Sequence, residues 1–391
     1  MQLLFITSWW PSRVHPYHGN FVQKHVRLLA REHEAVVVAV QEDPSLGAGR
    51  QELVVVSEGD YRVVQVYYGR PKRMPRPLVL AMRARAYLTG LRTVLQTLSF
   101  RPDLIHAHVL VDAGIISYGL SRLLHVPFLV SEHSTRYGDP GSLRYFDSML
   151  GRAACRKAAY ILPVTDYLRR EMQQCGFQGC YRVIGNVVNT DLFTANKLEV
   201  PSRNSLHLLH ISNLQEQQKN VQGLLRAFSQ YRKGTTSSAT LTIASEGNLA
   251  TVRAYMNTLN LDDGAVRLSG PHREEEIATL MRSHDALILF SHFETQGIVL
   301  LEAQACGLPV IATAVGGVLE SVAPSGGILV AAGDEAALVE AINVLATGLF
   351  SYDASRARTF VVKRWGEAAI REQFTAVYHQ AIAKAAERPR T

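Results

Sequence analysis

Short apolar, β-branched runs alternate with amphipathic stretches along the whole chain, and this alternation restricts the fold more than any other feature. In the first half the runs fall at Leu3–Thr7, Ala35–Val40, Leu53–Val56, Val63–Tyr67, Leu104–His106, Phe128–Val130, Tyr160–Leu162 and Tyr181–Ile184. In the second half they fall at Leu206–Ile211, Thr240–Ala244, Val266–Leu268, Ala286–Phe290, Pro309–Ala312 and Gly327–Val330. Helical periodicity fills gaps such as Phe21–Leu29, Ala113–Leu124 and Tyr167–Cys175. Helices on both faces of a parallel sheet bury its strands completely, so such strands read as continuous apolar runs. The expected class is α/β with parallel sheets.

A chain of 391 residues is long for one core and comfortable as two domains. The polar stretch Thr194–Ser205 (TANKLEVPSRNS) follows a strand and a turn and precedes a fresh apolar strand, as a linker should. The expected domains are therefore 1–194 and 206–365, with a last helix over 366–387. That helix places Ile370, Phe374, Val377, Tyr378 and Ile382 on one face and is expected to pack across the domain seam. Two such domains would face each other across a cleft at the carboxyl ends of their sheets, where open α/β sheets bind ligands.

No apolar run approaches the roughly 18–20 residues that span a bilayer. Met1–Trp10 has neither a basic lead-in nor a small-residue cleavage site, and reads as a first buried strand. Cys155, Cys175, Cys180 and Cys306 form no C-x-x-C pair, which suits a reduced, cytoplasmic setting. The net charge of +7 is concentrated between Arg70 and Arg92, at Arg70, Lys72, Arg73, Arg76, Arg83, Arg85 and Arg92, with no acid among them. A basic helix of this kind suits an anionic membrane surface, and equally a solvated helix face. Zinc-finger spacing and aromatic-laced RNA signatures are missing, so no nucleic-acid partner is expected.

The segment Ser291–Thr313, SHFETQGIVLLEAQACGLPVIAT, could carry chemistry. A strand ends at Phe290, a short loop holds Glu294, a helix starts near Gly297 and stops at Cys306–Gly307. Glycine at a helix start lets a ligand approach, and the free N–H groups there favour a phosphate. Glu302 falls about a turn and a half into the helix. A carboxylate accepts two hydroxyl hydrogen bonds, so one Glu suits a ribose and the other a sugar. Taken singly, each Glu would suit a solvated surface position.

This E-x7-E arrangement closely resembles the donor-site motif of the family 4 retaining glycosyltransferases, which have the GT-B fold of two Rossmann-like domains. Further segments agree in order: NVQGLLRAF after Lys219, VRLSGPHREEEIATLMRSHDALILFSHFE, AVGGVLESV and GILVAAGDEAALVEAI in the second half, and DLIHAHVLVDAG, FLVSEHSTRY and VIGNVVNTDLF in the first. The resemblance covers nearly the whole chain. It implies that Glu302 binds the donor ribose and that Glu294 contacts the transferred sugar. Backbone N–H groups of Gln296, Gly297 and Ile298 would hold the distal phosphate, and Lys219 would neutralise the leaving diphosphate. The loop Ser269–His272, with Gly270, Pro271 and His272, would read the base. His133, in SEHST, matches a position beside the sugar and the acceptor, although a histidine at a strand end is often only hydrogen-bonded in the core. His106 and His108 read as structural. Gly19 and Asn20 open the first helix where the family brings its N-terminal domain to the phosphates or acceptor.

Two departures matter. Many members carry an Arg shortly before the Lys, and here Asn213 occupies that place in ISNLQEQQKN. One cation fewer should weaken leaving-group stabilisation, unless Arg267, His272 or Arg273 substitutes. The P-N-G-V-D turn appears as Gly185-Asn186-Val187-Val188-Asn189. The chain holds no D-x-D, so no metal is indicated, and the resemblance implies no cofactor. The substrate would be a UDP- or GDP-type sugar, transferred with retention to a glycan or lipid-linked acceptor. A nucleotide-sugar 2-epimerase and a catalytically silent sugar-nucleotide binder are the competing readings.

Overall fold

The computed structural model describes residues 1–138, 143–195, 205–235 and 238–387. The chain divides into two compact units, Met1–Val187 with Ile370–Thr391, and Val188–Ala369. The first unit runs β1 (Gln2–Thr7), α1 (Asn20–Ala30), β2 (Glu34–Glu42), β3 (Gln51–Glu58), β4 (Tyr61–Tyr68), α2 (Arg76–Arg92), β5 (Leu104–His108), α3 (Ile115–Leu124), β6 (Phe128–Glu132), α4 (Tyr145–Lys157), β7 (Ile161–Pro163) and α5 (Asp166–Gln174). Its seven strands are ordered β3-β4-β2-β1-β5-β6-β7.

Alternation along these strands sorts the two faces. Leu4 and Ile6 of β1, Ile105 and Ala107 of β5, and Val130 of β6 join Tyr87 of α2, Leu120 of α3 and Ala154 of α4 in one buried cluster. Helices α2, α3 and α4 therefore cover the same face. Phe5, His106 and His108 point the other way, where the rings of His25 on α1 and Phe374 meet them.

Two elements differ from the sequence expectation. Strand β3 pairs antiparallel with β4, from Gln51↔Tyr68 to Glu58↔Tyr61. Only Gly59 and Asp60 separate the two strands, and so short a connection can make a hairpin but no parallel crossover. Residues 181–184 form no strand, only an isolated bridge between Ile161 and Tyr181. Their partner strand β7 ends in Pro163, which has no N–H to extend the ladder.

The second unit runs β8 (Ser205–Ile211), α6 (Glu216–Lys219), α7 (Val221–Gly234), β9 (Ser238–Ala244), α8 (Leu249–Thr258), β10 (Val266–Ser269), α9 (Glu274–Ser283), β11 (Ala286–Leu289), α10 (Ile298–Ala305), β12 (Val310–Thr313), α11 (Val318–Ser321), β13 (Gly327–Val330), α12 (Glu335–Ala346) and α13 (Ala354–Trp365). Its six strands are ordered β10-β9-β8-β11-β12-β13, and every pairing is parallel. The last helix, α14 (Glu367–Ala386), returns to the first unit from Ile370 onward, where Ile370, Phe374, Val377 and Tyr378 are fully buried.

The second unit begins at Val188, earlier than the linker expected at 194–205. Val188 N–H bonds the Trp365 carbonyl at 2.8 Å, and Phe193 is completely buried, so these residues pack as part of the unit. Most of the expected linker, residues 196–204, lies outside the described residues.

Setting aside the hairpin strand β3, each order of parallel strands reverses direction once, between β1 and β5 in the first unit and between β8 and β11 in the second. Loops leaving the carboxyl ends of those strands flank the crevice at which open α/β sheets take ligands.

Candidate active site

In the second unit the switch point brings together residues 75 positions apart in sequence. Lys219 ends α6, after β8, and Glu294 lies in the loop after β11. The Lys219 Nζ sits 2.5 Å from Glu294 Oε1, and the two side chains are 13% and 6% exposed. Ser291 donates its hydroxyl to the same Oε1 at 2.8 Å. Backbone bonds fix the loops that carry the pair. His292 N–H reaches the Gln218 carbonyl at 2.8 Å, and Gly317 N–H reaches the Glu294 carbonyl at 3.1 Å. Desolvating two charges is costly, and removing one partner leaves the other charge buried and uncompensated. Lysine has three donors, so bonding Glu294 leaves capacity for an anionic oxygen.

Helix α10 starts beside this pair. Its cap, Gly297, has φ 73° with no side-chain cap, a left-handed conformation that glycine adopts without penalty. The first amides of a helix lack intrahelical acceptors, and the aligned peptide dipoles make this end electropositive. The Gln296 carbonyl accepts the Ser321 hydroxyl at 2.7 Å. Ile298 opens the helix. Glu302 is 8% exposed, so the structure excludes a solvated surface position for it; Glu294, 5% exposed, is excluded from one as well. Buried Gln304 locks the helix in place, donating to the Leu300 and Ser321 carbonyls at 2.9 Å and accepting from Ala323 N–H at 2.8 Å. At the other end the Arg358 guanidinium donates to the carbonyls of Ala305, Phe193 and Thr190.

The remaining second-unit residues lie on neighbouring loops. Asn213 uses its Oδ1 to accept Gln215 N–H at 3.2 Å, which holds the turn after β8. Arg267 lies on edge strand β10, two strands from β8, about 10 Å across the sheet. Arg273 caps α9 beyond β10 with its side chain 80% exposed, 3.6 Å from Glu276. His272 hydrogen-bonds Ser269 Oγ at 2.7 Å. Arg267, His272 and Arg273 thus stand on or after β10, at the edge of the sheet, whereas Lys219 follows β8. Gly270 and Pro271 follow β10; a Cβ on Gly270 would meet nothing within 4 Å, leaving open space at that loop.

In the first unit, Gly19 closes the loop after β1 with φ 82°, and a Cβ there would fall 2.2 Å from the Trp9 carbonyl oxygen. Only glycine fits. Asn20 opens α1, and the Phe21 ring lies tilted with its centroid 4.6 Å from that of His133. His133 follows β6 and shares a buried cluster with His25, His106 and His108. His108 Nδ1 meets His133 Nε2 at 3.2 Å, and His25 Nε2 accepts Val187 N–H at 3.3 Å. His106 is satisfied on both sides, by Tyr378 Oη at 2.7 Å and Ser131 Oγ at 2.8 Å. Burial is the main reason these imidazoles stay neutral. It holds His25 down at about 3, and holds His106, His108 and His133 well below the usual range.

Sequence reasoning missed two members of this cluster. Glu132 is fully buried and receives N–H bonds from Leu110, His133 and Ser134 at 2.8–2.9 Å, plus the Tyr137 hydroxyl at 2.9 Å. Burial pushes its carboxyl up, and those donors oppose the shift. The Leu110 bond follows Val109, whose φ of 73° is strained for a β-branched residue. A carboxylate at a strand's carboxyl end beside a histidine was the available signal. His25 gave none, because its helix spacing matches that of a core residue.

Comparison with known proteins agrees over most of the chain. Residues 19–192 match the model for Glycosyltransferase Family 4, and residues 205–347 match that for Glycosyl transferases group 1. The chain belongs to the family 4 glycosyltransferases. N-acetyl-alpha-D-glucosaminyl L-malate synthase from Bacillus anthracis is 26% identical over 293 residues, covering 72% of this glycosyltransferase and 75% of that protein. Sucrose-phosphate synthase from Thermosynechococcus elongatus superposes with a TM-score of 0.79 at 19% identity, over 98% of this chain and 100% of that one. HepE from Anabaena, solved in complex with UDP and glucose, gives 0.72 at 18% identity, over 96% and 99%. The fold is GT-B.

Among the described residues of this glycosyltransferase, one group has the donors for a metal ion. It comprises His25, His108 and His133, whose ring nitrogens lie within 4.8 Å of one another. Neutral imidazoles are the form that binds zinc. Lys219 and Glu294 together cannot serve, since the ammonium competes with any cation for the carboxylate. No described helix is long and apolar enough to cross a membrane.

Proposed function

We propose that this glycosyltransferase moves a sugar, with retention, from a UDP- or GDP-type donor to a glycan or lipid-linked acceptor, in cell-surface polysaccharide or glycolipid synthesis. The observation that carries the proposal is the buried Lys219–Glu294 pair at the switch point, next to the uncapped start of α10. The diphosphate would lie between Lys219 and the amides of Gly297 and Ile298, Glu302 would take the ribose hydroxyls, and Glu294 would face the transferred sugar. As the anomeric carbon–phosphate oxygen bond breaks, negative charge grows on the departing phosphate, where the ammonium and the helix start would oppose it. The acceptor oxygen bonds the anomeric carbon on the same face, and its proton passes to the departing phosphate oxygen. Atoms and charge balance with no protein base, no cofactor and no divalent ion. With Asn213 in place of an arginine, Lys219 supplies the cationic side chain at this position.

Incubation with a panel of UDP- and GDP-sugars tests the reading, with and without a lipid-linked acceptor and in the presence of EDTA. The expected result is release of nucleoside diphosphate that rises with acceptor, survives EDTA and yields an α-linked product from an α-linked donor. Epimerised donor formed without any acceptor would assign the 2-epimerase instead. Tight binding with no release from any donor would assign a silent binder. The enzyme would act at the inner face of the cytoplasmic membrane, through the basic segment 70–92.

A further inference from the structure

Three helices, α2, α3 and α4, cover one face of the first sheet, and their outer surface is unusual in charge. Helices α2 and α3 contain no acidic residue, and the single acid of α4, Asp147, is buried. The exposed ionic groups are all basic: Arg85 and Arg92 on α2, Arg122 on α3, and Arg152, Arg156 and Lys157 on α4. Lys72 and Arg73 extend the field ahead of α2, and Arg144 caps α4. The basic stretch seen in sequence is itself partly neutralised. Arg70 pairs with Glu42 at 2.8 Å, and Arg83 turns inward to Asp112 and Tyr68. Cationic character therefore belongs to the three-helix face rather than to segment 70–92 alone.

Large apolar side chains break the same surface. Tyr145, Phe146 and Met149 on the first turns of α4 are 78%, 49% and 46% exposed, and Leu78 on the first turn of α2 is 54% exposed. Both helices start after strands end, so these residues share the carboxyl edge of the sheet, the edge that also carries Gly19 and His133. Exposed aromatic and apolar groups on the first turns, with basic residues farther along the same helices and no exposed carboxylate on them, match the charge and polarity gradient of an anionic bilayer interface. An acidic protein surface would complement the charge but offers no apolar depth for Tyr145, Phe146 and Met149.

We infer that the α2–α3–α4 face docks on an anionic lipid bilayer, with Tyr145, Phe146 and Met149 entering the headgroup region. Docking would present the acceptor edge of the first unit to a lipid-linked substrate, so its purpose rests on the proposed acceptor class; the docking itself is measured without donor or acceptor. The test is co-sedimentation of the full chain with phosphatidylcholine vesicles, with and without phosphatidylglycerol. A triple variant (Tyr145→Ser, Phe146→Ser, Met149→Ser) and a charge-reversal pair (Arg85→Glu, Arg156→Glu) accompany the wild type, and thermal melting checks each fold. Wild type should bind the anionic vesicles at least ~10-fold more than the neutral ones, and binding should fall as salt rises. Each variant should lose about 10-fold or more of that binding while melting like the wild type. Equal binding to both vesicle types, undiminished binding of the triple variant, or retention on heparin without vesicle binding would each overturn the inference. If vesicle binding follows this pattern and transfer fails, only the proposed chemistry is lost.

Discussion

At the switch point of the first unit, buried imidazoles stay neutral and share bonds with a tyrosine, a serine and one another. At that of the second, an ammonium and a carboxylate meet at 2.5 Å. Both crevices arise from the same reversal of strand order, yet the first is lined by neutral imidazoles beside one enclosed carboxyl, Glu132, whereas the second sets an ammonium against a carboxylate. A site that must hold an anionic diphosphate needs fixed charge and helix amides. A site for sugar hydroxyls and an acceptor needs donors and acceptors that do not repel a neutral ligand. The strand order supplies the position, and the side chains supply the polarity.

Acid should separate the two units most sharply. The folded pKa values of His25, His106, His108 and His133 lie below the unfolded value near 6.5. The unfolded chain therefore binds more protons as pH falls below 6.5. Stability present above that pH is lost on the way down toward the folded values, about 3 for His25. Each imidazole contributes up to about 1.4 kcal/mol per pH unit. The second unit carries one comparable group, His210, held at about 4 by burial. Hydrogen-exchange protection of β5 and β6 should fall well before that of β8 and β11 between pH 7 and 5. Parallel losses would break the comparison.

Next in size is the ion pair. Lys219→Ala should lower turnover about 100- to 1000-fold by removing charge stabilisation, and should destabilise the second unit by about 3–5 kcal/mol by stranding Glu294. Adding Glu294→Gln should restore much of the stability and none of the turnover. Recovery of turnover in that double variant would remove both residues from the chemistry. Glu302→Ala should weaken UDP or GDP binding about 10- to 100-fold by calorimetry, with a smaller change in kcat; unchanged affinity would move the ribose elsewhere. The smallest effect is expected for Tyr378→Phe, which removes one bond to His106. It should cost about 1 kcal/mol and leave donor affinity unaltered, a contrast that tests whether α14 serves the first unit by packing alone.

Much of the fold was legible because buried parallel strands advertise themselves as apolar runs. The misses were local. At β3 a two-residue connection outweighed the expectation of parallel pairing, and at Tyr181–Ile184 the proline of the partner strand ended the ladder. Glu294, Glu302 and Gly297 stood out because they crowd into one strand–loop–helix segment whose resemblance to a family motif carried the signal. His25 and Glu132 did not, since their partners come from other elements and neither spacing nor composition marks them.

The class of fold and the family resemblance are written in the local order of the chain. Each of these is encoded by local periodicity and by motifs whose parts are neighbours in the chain. Packing between distant segments added that Lys219 closes on Glu294, that Glu302 is buried, and that Tyr378 reaches His106 from 272 residues away. These facts depend on which strand ends the sheet order brings together, and on desolvation that only packing from distant segments can produce.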